Sequence, residues 1–222
     1  MFRDRTEAGQ LLARRLIRYK DQAEVIVLGL ARGGMPVASE VAKALRAPLD
    51  VFLVRKLGVP GQEELAMGAS ASGNVRVLND PIINALGISP AAIEAAAAKE
   101  EREIERRERL YRGDRPSLAV ENRTIILIDD GLATGSTMRA AVLALRRQHP
   151  ASIIVAVPVA AASTCEDLKH EVEEIVCLLT PENFFAVGEW YEDFSQITDE
   201  EVQELLRCAP VVRSSTDTLR QA

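Results

Sequence analysis

The sequence IILIDDGLATGST, residues 125–137, decides the fold. Its first four residues are all Ile or Leu, and continuous apolarity of this kind is typical of a strand that is buried on both faces of a parallel sheet. Two acids, Asp129 and Asp130, follow the strand directly, and a short loop then leads to a helix predicted to begin near Ser136. Because ligands bind outside the carboxyl ends of the strands in open parallel sheets, we expect a ligand site here.

Four further apolar runs of strand length flank this segment, at 24–30, 49–54, 152–159 and 175–179. Helical patterns lie before, between and after the runs, at about 5–20, 36–46, 136–148, 163–170 and 198–208. Strands and helices that alternate at these lengths favour a parallel sheet with helices on both faces. We therefore predict an α/β fold with an open, mainly parallel five-stranded sheet flanked by helices.

The middle of the chain departs from this alternation. Residues 57–73 are rich in Gly and small side chains and carry no helical stripe, which predicts a mobile excursion. Residues 74–78 are predicted to pair with 65–70 as a hairpin. A long helix follows as far as about residue 111, with Ser89 as its cap and Pro90 as its first residue.

The second half of that long helix is heavily charged. Three Glu–Arg pairs stand at i,i+4 in the favourable order, namely Glu103/Arg107, Glu105/Arg109 and Glu108/Arg112. This pattern predicts either a solvated helix or a dimer contact.

Length and composition favour one domain over residues 1–222, with an inserted loop and helix at about 57–115 and a separate C-terminal part at about 181–222. The net charge of -6 argues against a nucleic-acid surface. The charged N-terminus predicts no signal peptide, and the lack of a long apolar run predicts no membrane helix, so we expect a cytoplasmic protein. Three cysteines without CxxC spacing predict reduced, mostly buried thiols; they are Cys165, Cys177 and Cys208.

The loop after the two acids has the chemistry of an anion site. Residues 134–137, TGST, offer hydroxyls and backbone N–H groups at a helix N-terminus, which suits a phosphate. Asp129 and Asp130 would repel a bare phosphate, but carboxylates accept hydrogen bonds from sugar hydroxyls or bind Mg²⁺. Together these features indicate a sugar phosphate. The alternative is that the acids only cap the next helix and the loop is an ordinary turn.

Nucleotide-binding loops of two other kinds do not fit. Neither GLARGG at 29–34 nor GLATGST at 131–137 supplies the Lys of a P-loop, and neither has the GxGxxG spacing of a dinucleotide-binding fold.

The segment 125–137 resembles the phosphoribosyl pyrophosphate (PRPP) motif of type I phosphoribosyltransferases, an apolar strand followed by two acids and a TG-[GS]-T loop. The resemblance implies that Asp129 and Asp130 bind the ribose 2- and 3-hydroxyls. It also implies that the 5-phosphate is wrapped by the loop residues, which are Ala133, Thr134, Gly135, Ser136 and Thr137.

A second resemblance follows the first strand. LARGGMPVA, residues 30–38, is similar to the pyrophosphate loop of the family, which often has a non-proline cis peptide just before its arginine. This resemblance places Arg32 on the pyrophosphate, with Gly33 and Gly34 allowing the backbone to approach closely. Lys56, after the second strand, is a further candidate for pyrophosphate, and a solvated lysine at a strand end is the alternative.

The C-terminal part of the chain concentrates five of its nine aromatic residues within 184–194. In type I enzymes a variable hood holds the nitrogenous base, so the resemblance implies that residues at about 181–222 form such a hood and that Phe185, Trp190 and Tyr191 stack on the base. The alternative is an aromatic mini-core that anchors the last helix. Ala133 stands where several hypoxanthine-guanine enzymes have an Asp that serves the purine. The patterns LARGG, RKLG and WYxDF are instead closer to a bacterial group whose acceptor is unassigned.

The resemblance implies a pentosyltransferase of nucleotide metabolism that joins the phosphoribosyl group of PRPP to a nitrogenous base and releases pyrophosphate. Mg²⁺ on PRPP would meet Asp129 and Asp130 indirectly, and a homodimer is expected. One alternative is a regulatory protein that senses PRPP or a nucleotide without turnover. Another is a phosphoribohydrolase that uses water as the nucleophile, which a closing loop at 57–73 would disfavour.

Overall fold

The structure, a computed structural model, describes residues 1–209, so the part of the predicted hood at 210–222 lies outside the described residues. The strands are β1 Val25–Leu30, β2 Leu49–Phe52, β3 Val54–Val59, β4 Gln62–Ala71, β5 Val75–Leu78, β6 Thr124–Ile128, β7 Ser152–Val159 and β8 Glu174–Leu179. The α-helices are α1 Arg5–Arg15, α2 Gly34–Leu45, α3 Asp80–Leu86, α4 Pro90–Arg112, α5 Ser136–Arg146, α6 Ala162–Leu168 and α7 Asp199–Arg207. Two short 3-10 helices, Ile17–Tyr19 and Val187–Trp190, complete the elements.

The predicted five-stranded parallel sheet is confirmed. Its order is β2-β1-β6-β7-β8, and every neighbouring pair is parallel. Residues 125–128 of β6 and all six residues of β1 are buried, as continuous apolar runs predict. One core lies between the sheet and the helices α1, α2, α4 and α7, and a second lies against α5 and α6. The sheet therefore carries the carboxyl ends of β1 and β6 side by side.

Most of residues 57–73, where a mobile excursion was predicted, forms regular strands. The hairpin of 65–70 with 74–78 is confirmed, but β3 also pairs with β4, so that the three strands form a separate antiparallel sheet. The glycines serve close strand pairing: a Cβ added at Gly68 would overlap the carbonyl oxygen of Val77, and one at Gly58 would lie 2.8 Å from that of Glu63. Small side chains here reflect a tightly paired sheet that packs on α4.

The position of Lys56 also needs correction. Arg55 and Lys56 were expected to close the second parallel strand, but β2 ends at Phe52 and both residues lie in β3 of the antiparallel sheet. The chain leaves one sheet and enters the other at Leu53, and an uninterrupted apolar run does not reveal such a break.

The long helix begins as predicted, with Ser89 as the cap and Pro90 in the first turn. All three predicted Glu–Arg pairs form. The helix is nevertheless anchored to the fold, because Ile104 and Tyr111 are buried and Arg112 pairs with the buried Asp50 at 2.8 Å. The preceding short helix α3 was not predicted.

The expectation of reduced, buried thiols is wrong for two cysteines, since Cys165 on α6 and Cys177 on β8 form a disulfide. The packing of α6 beside β8, which sequence spacing does not show, brings them together. Cys208 is free and exposed. Within residues 1–209, no helix has the length and apolarity needed to cross a membrane.

Candidate active site

The site is centred on the acid pair, Asp129 and Asp130, directly after β6. The turn that follows β1 packs against this pair so closely that only glycine fits. A Cβ added at Gly33 would overlap Oδ2 of Asp130 and lie 2.7 Å from its Cγ, and one at Gly34 would lie 2.6 Å from the Ile128 carbonyl oxygen. The peptide bond between Ala31 and Arg32 is cis, as the resemblance implied. The two predicted loops therefore form one continuous surface.

The acid pair is electrostatically strained before any ligand is bound. Burial raises the pKa of Asp129 well above its ordinary value, and the neighbouring charge of Asp130 raises it further. Burial also raises the pKa of Asp130, although a hydrogen bond from Arg5 opposes this effect. One oxygen of each carboxyl group accepts a hydrogen bond from the protein: Asp129 Oδ1 from the Asp130 N–H at 2.9 Å, and Asp130 Oδ2 from Arg5 at 2.8 Å.

Arg5 and Tyr191 belong to this site, although sequence analysis did not place Arg5 there. The Arg5 side chain is buried beside Asp130, and the Tyr191 hydroxyl donates a 2.6 Å hydrogen bond to the Asp130 carbonyl oxygen. Arg5 lies 125 residues before its partner, within a helix whose other arginines are exposed. No local sequence pattern distinguishes Arg5 from the exposed arginines of α1, so its role is visible only in the folded structure.

The loop at 133–137 ends at the N-terminus of α5, as predicted. Gly135 caps the helix with φ of 69°, a left-handed conformation that favours glycine. The hydroxyls of Thr134 and Ser136 lie 2.9 Å apart in a mutual hydrogen bond. The first N–H group of α5, that of Ser136, donates to Thr134 Oγ1 at 3.4 Å, so the aspartates do not cap the helix and that part of the alternative is wrong. The N–H groups of the first turn lack intrahelical partners, which makes this loop suited to an anion.

Thr164 on α6 supports the loop at 133–137. Its buried hydroxyl donates a 2.6 Å hydrogen bond to the Ala133 carbonyl oxygen, and its methyl carbon would lie 2.7 Å from a Cβ at Gly135. Sequence analysis missed this residue because it lies in a different helix from the loop it holds.

We predict that Thr164→Val will loosen the loop, since the carbonyl oxygen of Ala133 loses its donor while the side-chain volume is kept. A net loss of about 1 kcal/mol for one hydrogen bond corresponds to roughly fivefold faster amide exchange over residues 133–137. Hydrogen exchange followed by mass spectrometry measures this rate. Thr164→Ser, which keeps the hydroxyl, serves as the control and should exchange near the wild-type rate. Equal rates in wild type and Thr164→Val would contradict the assignment.

Arg32 is tied to the last helix. Its guanidinium lies 3.6 Å from Asp199 Oδ1, and the same oxygen accepts a 2.6 Å hydrogen bond from Tyr111. Burial and this carboxylate raise the pKa of Tyr111 to about 12, so the phenol remains a donor at neutral pH. Lys56 is exposed and lines a cleft between β3 and α4 together with Lys99 and Glu100, and the acid pair is not part of that lining.

Some aromatic residues of the hood are positioned as a mini-core, and others are exposed and could stack on a base. Tyr191 is buried in a mini-core with Phe2 and Phe194, at ring-centroid distances of 5.4 and 5.1 Å, so we do not retain it as a stacking residue. Phe185 is 81% exposed. Trp190 is half-buried, and its indole N–H lacks a hydrogen-bond partner among the described residues. Phe185 and Trp190 therefore remain the stacking candidates.

Comparison with known proteins identifies the family. The family model for the phosphoribosyl transferase domain matches residues 5–193. Proteins from two Mycobacterium tuberculosis strains, each named "Putative phosphoribosyl transferase", are 44% identical over 206 residues, which is 93% of this chain and 46% of theirs. The chain thus spans about half the length of the curated relatives it matches.

Two solved structures share the fold of this chain. A crystal structure from Thermus thermophilus is 43% identical, has a TM-score of 0.83 and covers 93% of this chain and 97% of that one. A structure from Aquifex aeolicus, at 12% identity and a TM-score of 0.50 over 91% and 83% of the two chains, shows a shared fold alone. Because the family model and the 44%-identical relatives both span most of its length, this chain belongs to the phosphoribosyl transferase domain family.

Proposed function

We propose that this protein transfers the 5-phosphoribosyl group of PRPP to a nitrogenous acceptor and releases pyrophosphate. The observation that carries the proposal is the direct packing of the Arg32–Gly33–Gly34 turn on Asp129 and Asp130. That contact brings the turn after β1 and the acid pair together at the edge formed by two adjacent strands, and in our proposal these residues and the loop at 133–137 would bind the diphosphate, the ribose hydroxyls and the 5-phosphate.

In this proposal the ribose lies over the acid pair. The carboxyl oxygens not engaged by Arg5 and by the Asp130 N–H would accept hydrogen bonds from the 2- and 3-hydroxyls. The loop at 133–137 would hold the 5-phosphate with its hydroxyls and the first N–H groups of α5. Two anchored ends fix C1 of the ribose relative to the acceptor, and such positioning supplies much of the catalysis in a displacement of this kind.

The reaction breaks the bond between C1 and the diphosphate oxygen, and the electron pair leaves with the diphosphate. The acceptor nitrogen forms the new bond to C1 and loses its proton. Positive charge develops on the ribose ring in the transition state, and the anionic carboxylates beneath it would stabilise that charge. Arg32 would exchange its 3.6 Å contact with Asp199 for the leaving diphosphate, which binds a guanidinium more strongly as a bidentate partner.

The acid pair also fits Mg²⁺, which we propose is carried by PRPP. Mg²⁺ prefers oxygen ligands and commonly uses one or two carboxylates together with substrate phosphates, and when bound it neutralises charge on the leaving diphosphate. Within residues 1–209, no group of three or more His, Cys, Asp or Glu side chains could hold a metal ion by themselves. Asp129 and Asp130 would therefore meet the ion only through PRPP. Lys56 remains a proposed pyrophosphate contact, and a homodimer remains a prediction.

The test is an assay of pyrophosphate release from PRPP and Mg²⁺ over a panel of purines, pyrimidines and other amines. We expect release with at least one acceptor, and loss of that release in Asp130→Asn. Tight binding of PRPP without release against any acceptor would favour a sensor. Release at the same rate without any acceptor would favour a hydrolase.

A further inference from the structure

Arg5 is the first residue of α1 and is only 8% exposed. Its Nε donates to Asp130 Oδ2 and its Nη1 donates to the Ser195 carbonyl oxygen, both at 2.8 Å. Its guanidinium carbon lies 3.9 Å from the centroid of the Phe194 ring and 5.9 Å from that of Tyr191. One side chain thus joins the N-terminal helix, the hood and the acid pair.

A buried guanidinium is costly unless its charge is paired and its donors are used. The arrangement around Arg5 meets both needs, because a carboxylate, a backbone carbonyl and an aromatic face occupy three sides of it. The planar guanidinium group of Arg5 donates to Asp130 Oδ2 in a fixed direction. The ammonium group of a lysine would not fix that direction. The same oxygen is the atom that a side chain at Gly33 would overlap, so Arg5 and the diphosphate turn confine it from two sides.

We propose that Arg5 is a positioning residue that aims the carboxylate of Asp130 at the ribose and ties that aim to the segment 191–195. The inference rests on the proposed function. Arg5 acts through Asp130 and does not itself contact the reacting atoms. Ser195 and Phe194 hold the Arg5 guanidinium in place, so that the site is correctly formed with the segment 191–195 docked on α1.

The first arm of the test uses the protein without ligand. Arg5→Met keeps much of the apolar stem but leaves Asp130 buried without its cation, so Tm should fall. Adding Asp130→Asn to Arg5→Met should recover most of the loss, because the unpaired charge is then removed. A side chain that only fills space would show no such recovery. Thermal denaturation of wild type, both single variants and the double variant measures the effect.

The second arm measures PRPP affinity by calorimetry in the presence of Mg²⁺. Arg5→Met should weaken binding by about 10–100-fold, the range typical when the partner of a ligand-binding group is removed. Arg5→Lys should recover part of this loss. Arg15→Met, an exposed arginine of the same helix, is the matched control and should bind as wild type does.

Wild-type affinity in Arg5→Met, or a double variant no more stable than Arg5→Met, would overturn the inference. The two arms also separate this inference from the proposed function. If wild type binds no PRPP, the proposed function fails, and the assigned role of Arg5 in aiming Asp130 at the ribose fails with it. The ligand-free denaturation series would then show only whether Arg5 and Asp130 are coupled.

Discussion

Replacing Asp129 with Asn is expected to abolish PRPP transfer and, at the same time, to make the ligand-free protein more stable. Asp129 is partly buried beside a second carboxylate, and both burial and the charge of Asp130 raise its pKa. Asparagine removes that charge but still offers an oxygen to the Asp130 N–H, which Asp129 Oδ1 now accepts at 2.9 Å. A residue that is kept for function at a cost in stability is expected to show such opposite effects on activity and on stability.

The stability gain should depend on pH in a definite direction. A carboxyl group with a raised folded pKa contributes stability below its ordinary pKa of 3.8 and loses that contribution as the pH rises through the folded value. The Asp129→Asn protein does not lose this stability, so the difference between its Tm and that of wild type should grow as the pH rises from about 4 towards neutrality. At neutral pH we expect a rise of about 2–4 °C, which corresponds to about 1 kcal/mol in a chain of this size.

Differential scanning calorimetry at pH 4 and pH 7.5 measures this change, and the transfer assay measures the loss of activity, which we expect to be at least about 100-fold. Asp114→Asn, at an exposed loop position, is the control and should change neither property. An Asp129→Asn protein that is less stable and still active would show that Asp129 is a structural residue.

The second large effect concerns the glycine turn. Gly33 and Gly34 both have room for only a hydrogen atom, but their neighbours differ. A Cβ at Gly33 meets the carboxyl end of the Asp130 side chain, which can rotate away without moving the backbone. A Cβ at Gly34 meets the backbone at Ile128 O and at Asp129 Cα, 2.6 and 2.9 Å away, and these atoms cannot move without shifting β6.

We therefore expect different outcomes for two variants that add the same methyl group. Gly33→Ala should lose at least about tenfold in PRPP affinity, because it turns the Asp130 carboxyl group from its position on Arg5, and it should lose less unfolding free energy than Gly34→Ala, because only side chains have to shift. Gly34→Ala should lose PRPP affinity and also about 1–3 kcal/mol of unfolding free energy, as overpacking of a tight contact does. Denaturant unfolding and calorimetry measure the two quantities. Equal unfolding free energies in the two variants would contradict the described packing.

Sequence alone predicted the parallel sheet because its strands are continuous apolar runs, and it predicted the acid pair because both acids follow β6 directly. The β4–β5 hairpin of the antiparallel sheet was predicted, but its pairing with β3 was missed because the glycines serve strand pairing, while glycine in sequence commonly signals a loop. Arg5 and Thr164 were missed for another reason. Each acts on a residue more than thirty positions away, and such contacts arise from packing and leave no local pattern.

The most direct test of the site is a calorimetric titration of PRPP with Mg²⁺ into wild type, Asp130→Asn and Arg32→Ala. These variants remove one contact from the ribose and one from the diphosphate, and the asparagine at position 130 keeps an oxygen that can accept the hydrogen bond from Arg5. We expect saturable binding to wild type and at least about tenfold weaker binding to each variant, with all three proteins folded. Equal affinity of the three proteins for PRPP would contradict the assignment of this site.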